Sequence, residues 1–177
     1  MAADKGPRTL TFELNVPFRP RWRNVELLRT SVLNCLATIF ESYDFCEQLG
    51  MTTAELLENS IGYGMWATDG ESPLHLSVCG DETEVRVQVT NPVSAEGEDL
   101  SRLIATVRSI EDAESPRAAY AARLLELSSD PTTQGSRLGL LRIAFETGAK
   151  LAVEVGDDRK SVRVSATIRA GSTSDPK

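Results

Sequence analysis

Within the stretch TTAELLENSIGYG, residues 52–64, a carboxylate and a carboxamide stand four residues apart, Glu55 and Asn59. At about 100 degrees per residue, that spacing stacks them one helical turn apart on the same side. A carboxylate can orient a nucleophile, and an amide oxygen suits a hard cation such as Mg²⁺. Helix geometry by itself supplies a blander role. Leu57, Ser60, Ile61 and Gly64 fall on one side, leaving Glu55, Glu58, Asn59 and Gly62 as a face turned to solvent, away from the core.

A second stretch, GSRLGLLRIAFE at 135–146, runs a glycine turn straight into an apolar helix start. Backbone N–H groups at such a start point outward and, with the helix dipole, form a seat for phosphate oxygens. Other reactive side chains lack the company that chemistry needs. His75 is the single histidine and occupies a polar position of an alternating segment, with no second histidine or paired cysteine beside it. Ser94 and Ser136 have no recognisable base for acyl transfer. Cys35, Cys46 and Cys79 show no CxxC spacing and lie in apolar segments, which reads as three packed free thiols.

The elements that must position these residues are legible from periodicity. TLTFELNV alternates strictly, with Leu10, Phe12, Leu14 and Val16 on one side and Thr9, Thr11, Glu13 and Asn15 on the other. The pattern recurs at Leu74–Val78, Val85–Val89, Leu151–Val155 and Val162–Ile168. Five one-sided strands call for a sheet covered by helices on a single face, and Gly80-Asp81 and Gly156-Asp157 turn two pairs of them into hairpins. Helical spacing fills the intervals: Val25 to Ile39 with Asn24 as cap; roughly 47 to 66; EDLSRLIATVRSI; SPRAAYAARLLELSS from Ser115; and LGLLRIAFE. The expected architecture is a two-layer α/β sandwich with a mixed, mostly antiparallel sheet of about five strands. Residues 9–169 form its single domain, with a helical insert at about 97–130, a flexible segment at 1–8 and a disordered polar tail at 170–177.

Bulk properties exclude several classes. A chain of 177 residues with 41% hydrophobic and 25% charged content suits one soluble domain with a single core. A net charge of −7 argues against broad contact with nucleic acid or an anionic membrane, and Arg19, Arg21 and Arg23 in FRPRWR read as a connector. The start MAADKGPRT lacks the apolar run of a secretory signal, so a cytoplasmic location is expected.

A helix with E-x-x-x-N, then a hairpin, then a glycine turn opening another helix, resembles the nucleotide fold of histidine kinases and gyrase (the Bergerat or GHKL fold). The likeness is nearest to the anti-sigma-factor serine/threonine kinases of bacterial partner-switching systems, in which an N-terminal strand ends near a proline and feeds a long helix, as FELNVPFRPRWRNVELLRTSVLNCL does. It covers about residues 9 to 169. The resemblance implies bound ATP and Mg²⁺, with Asn59 holding the metal, Glu55 acting as base toward water or a substrate hydroxyl, and Gly135, Arg137 and Gly139 beside the phosphates. It also implies protein partners, a small STAS-type antagonist or a sigma-like target, and admits a homodimer.

Two departures qualify the match. Where the family carries D-x-G-x-G, whose aspartate meets the adenine amino group, this chain has VTNPVSAEG, with Asn91 at the aspartate position. Asn91 can still accept a hydrogen bond but brings no charge, and Pro92 removes a backbone donor and locks its own φ. About 40 residues, mostly two helices, stand where the small kinases have a short nucleotide lid. Two function classes follow: an ATP-dependent regulatory kinase, and a non-catalytic member of the fold that engages a protein partner without nucleotide. An unrelated α/β domain with the same order of elements would share neither role.

Overall fold

The computed structural model describes residues 9–67, 72–94, 97–129 and 138–171. Its alternating segments form five strands, β1 (Leu10–Pro17), β2 (Pro73–Gly80), β3 (Glu84–Pro92), β4 (Lys150–Val155) and β5 (Ser161–Arg169). They lie side by side in the order β1-β2-β3-β5-β4, and every neighbouring pair is antiparallel. The mixed sheet anticipated from sequence is thus antiparallel throughout. The β4–β5 hairpin inserts β5 between β3 and β4, so the long helical connection from β3 to β4 joins strands that run the same way without touching.

One row across the sheet shows why the register holds. Leu14 pairs with Leu76, Leu76 with Val89, Val89 with Val164, and Val164 with Val153. A slip of one residue would turn this apolar row to the other face, where Glu13, Arg86 and Arg163 are exposed. Helices cover the apolar face alone. The core gathers Leu74, Leu76, Val78, Val85, Val87 and Ile168 from the strands and Leu49, Leu56, Leu57, Leu103 and Ile143 from the helices.

Five helices complete the second layer: α1 (Trp22–Leu36), α2 (Tyr43–Tyr63), α3 (Glu98–Asp112), α4 (Pro116–Ser129) and α5 (Gly139–Thr147). Asn24 does not cap α1. The helix starts two residues earlier, and the Asn24 amide donates to the Arg19 carbonyl, closing the preceding turn at 2.8 Å. α2 begins before the expected position because Ser42 caps it, accepting from the Phe45 N–H at 3.3 Å. Ser115 caps α4 as anticipated, accepting from Ala118 N–H at 3.1 Å.

The two helices of the insert differ in kind. α3 buries Leu100, Leu103, Val107 and Ile110. α4 buries no residue, and leans on α5 through the stacked rings of Tyr120 and Phe145, 5.2 Å between centroids. All three cysteines are free, but only Cys46 is buried; Cys79 is half-buried and Cys35 is exposed, contrary to the packed-thiol expectation, because α1 turns that position outward. Residues 1–8 and 172–177 lie outside the described residues, so the flexible start and most of the polar tail do too. Among the described residues no helix is long and apolar enough to cross a membrane.

Candidate functional site

α2 is buried on more than one side. Leu49, Thr52, Thr53, Leu56, Leu57 and Ser60 are all buried, and the helix packs against α1, β3 and α5. α5 lies along the flank that carries Glu55 and Asn59. This corrects the reading of that flank as solvated: only 15% of the Glu55 side chain is exposed.

The approach of the two helices depends on a missing side chain. Gly139 is the first residue of α5, and a β-carbon there would lie 2.5 Å from Glu55 Oε2 and 3.4 Å from Asn59 Nδ2. Van der Waals contact begins near 3.4 Å, so any larger residue must push the carboxylate away. The sequence-predicted residues Glu55, Asn59 and Gly139 therefore meet at one place. Gly135 and Arg137 lie outside the described residues.

Two further side chains complete the cluster. Arg142, one turn along α5 from Gly139, donates from Nη1 to Glu55 Oε1 at 3.1 Å and from Nε to Glu146 Oε1 at 2.8 Å. Neither residue was singled out from sequence, although Gly139 and Arg142 are three apart on one helix, and Arg142 and Glu146 four apart; that spacing was the available signal. Burial, then the charge of Glu58, pushes the Glu55 carboxyl above the usual glutamate range, against the opposing pull of Arg142. Burial likewise raises Glu58. The hydrogen bond to Glu146, with the charges of Glu146 and Glu55, raises Arg142 further and keeps it a cation.

Asn59 is oriented by its own helix. Its Nδ2 donates to the Glu55 carbonyl at 2.8 Å, and Oδ1 has no hydrogen-bond partner among the described residues. An amide oxygen without a partner is a group that can take part in holding a hard cation.

Among the described residues no hydrogen bond links Asn91 to this cluster. Asn91 follows Val85, Val87 and Val89 on the covered face of β3, is buried, and pairs across the sheet with Val162. Its Nδ2 donates to the Pro92 carbonyl at 3.0 Å, and the Met65 N–H donates to the same oxygen at 2.8 Å. The amide is thereby engaged with its own strand end, beside a cleft of about 200 Å³ lined also by His75, Thr90 and Ser161. Among the described residues no group of three or more His, Cys, Asp or Glu could hold a metal ion.

No protein-family model matches this chain. No curated protein matches it. Among solved structures, it is similar to a chain in the crystal structure of the SiaB-SiaC complex from Pseudomonas aeruginosa. The TM-score is 0.66 and the identity 19%, over 91% of this chain and 90% of that one. At that identity the likeness shows a shared fold.

Proposed function

We propose that the chain is a regulatory protein of a partner-switching pathway that binds ATP with Mg²⁺ and phosphorylates a serine or threonine hydroxyl of a small protein partner in the cytoplasm. The observation that carries this reading is the meeting of Glu55 and Asn59 of α2 with Gly139 at the start of α5. The fold likeness to a chain from a complex of two proteins supports a protein partner.

The donor set fits the implied groups at the phosphate end. Asn59 would hold Mg²⁺ through Oδ1, and the bare α-carbon of Gly139 leaves at the start of α5 a space that the Glu55 carboxylate fills, which a phosphate would have to share or take over. ATP, when bound, supplies the phosphoryl group that is transferred. Glu55 receives the proton of the attacking hydroxyl at a carboxylate oxygen, and burial raises its affinity for that proton. The surrounding helices shield this carboxylate from bulk water.

At the adenine end the fit is poorer. The Asn91 Nδ2 donates to the Pro92 carbonyl, leaving only Oδ1 for a base, and Pro92 pairs with Ser161 in the sheet, so the glycine-rich approach to a base is not reproduced. This favours a second reading, a non-catalytic member of the fold that engages its protein partner without nucleotide.

Calorimetry with ATP and Mg²⁺ separates the two. The kinase reading expects saturable heat that is lost in Asn59→Ala while the variant stays folded. An absence of heat at millimolar ATP eliminates it and leaves the partner-binding role, for which capture of the partner must proceed without nucleotide and survive Asn59→Ala.

A further inference from the structure

We propose that Arg142 is a phosphate-contacting residue of this site, parked on Glu55 and Glu146 until an anionic ligand takes over part of its guanidinium. The inference rests on the reading of the α2–α5 cluster as a nucleotide site, and adds to it a residue and an order of events.

Three observations carry it. Arg142 shares a face of α5 with Gly139, so its side chain leaves the helix on the side where the Glu55 carboxylate lies over Gly139, the place a phosphate would have to take. Its Nε and Nη1 are taken by Glu146 and Glu55, but Nη2 has no partner among the described residues, and 45% of the side chain is exposed against 15% for Glu55. The accessible member of the pair is therefore the cation. A planar guanidinium matches two phosphate oxygens at once, which a point charge does not.

The charges around it give a direction. Glu55, Glu58 and Glu146 all act on this one arginine. A polyphosphate entering beside three carboxylates needs that positive charge, and it competes with Glu55 for it. The bond from Nε to Glu146 serves as a pivot, because Glu146 lies on the same helix and moves with it. Swinging about it, the Nη groups exchange Glu55 for phosphate. Glu55 is thus freed from its counter-ion only once a phosphate is present, and the substrate hydroxyl meets an unpaired carboxylate only then.

The test compares MgATP affinity by calorimetry in the wild type, Arg142→Gln, Arg142→Lys and Glu55→Gln, with folding checked by circular dichroism. Arg142→Gln is expected to weaken binding tenfold or more, and Arg142→Lys, which keeps the charge and helix propensity, to weaken it less. Glu55→Gln removes the competitor and is expected to tighten binding severalfold. A pair that served only to hold α2 on α5 would make all three variants weaker, and that result overturns the proposal. Wild-type binding that Arg142→Gln leaves unchanged overturns it alone. Failure of the wild type to bind MgATP overturns it together with the nucleotide reading on which it rests.

Discussion

Glu55 Oε1 on α2 and Arg142 Nη1 on α5 lie 3.1 Å apart, an ion pair between residues 87 positions apart in the chain whose two halves are very unequally exposed. The inequality sets what each deletion costs. Arg142→Ala leaves a shielded carboxylate facing Glu58 and Glu146, and we expect a loss of about 2 kcal/mol at neutral pH after solvent screening. Glu55→Gln leaves an exposed arginine still bonded to Glu146, and should cost under about 1 kcal/mol. Urea denaturation of the two variants checks the order. The difference must also depend on pH. A glutamate whose folded pKa is raised favours the folded state below its unfolded value of about 4.3 and loses that advantage as pH rises through the folded value. Arg142→Ala raises it further, so the deficit of this variant should shrink steadily on acidification.

Gly139→Ala separates stability from ligand binding. An added methyl at a helical position gains up to about 1 kcal/mol of helix propensity. The same methyl displaces the Glu55 carboxylate. The propensity gain and the disturbed ion pair oppose each other, so the expected outcome is a small change in melting temperature and, if the nucleotide reading holds, MgATP affinity down about tenfold, about 1.4 kcal/mol, measured on the same preparation by thermal denaturation and calorimetry.

A second pH effect belongs to the β2–β3 turn. Asp81 Oδ1 accepts from the Thr83 hydroxyl at 2.6 Å, the Thr83 N–H at 2.7 Å and the Glu84 N–H at 3.1 Å. These bonds, that of the hydroxyl foremost, hold the Asp81 carboxyl below the usual aspartate range. A depressed carboxylate contributes stability above its unfolded pKa and loses it as pH falls through the folded value. Asp81→Asn should therefore lower the melting temperature near neutrality and leave it unaltered in strong acid.

Tyr120→Ala tests how α4 is attached. The ring stack on Phe145 is worth about 0.5–1.5 kcal/mol beyond its area, and α4 has no fully buried residue, only Ala119 and Tyr120 partly buried against the core. Hydrogen exchange should accelerate along α4 while amides of β3 and β5 keep their protection.

The strands and hairpins were legible because each strand has one wet face, so period-two alternation survives in the sequence at Leu10–Val16 and Val162–Ile168. The packing partner of the α2 flank was not. A helical wheel locates one apolar stripe, whereas Glu55 is shielded by a second helix that docks through a glycine, which carries no hydropathy signal. Arg142 and Glu146 were hidden for the same reason, since each looks like an ordinary surface residue until α5 is laid on α2. Asn24 misled because an asparagine before an apolar period resembles a cap, while here its amide serves the turn preceding α1. Asn91 occupied the anticipated strand end, but its hydrogen bond to Pro92 is a local detail that no spacing encodes.

The central seam of the sheet also governs how the chain reaches this state. Glu84 pairs with Arg169 and Pro92 with Ser161, so β3 receives its inner neighbour only from the last strand in order. Until β5 is available, the edge of β3 along Val85, Val87 and Val89 has no strand to pair with on that side. Closing that edge joins segments far apart in the chain, the kind of high-contact-order pairing that slows folding and leaves an unpaired strand edge exposed in the meantime.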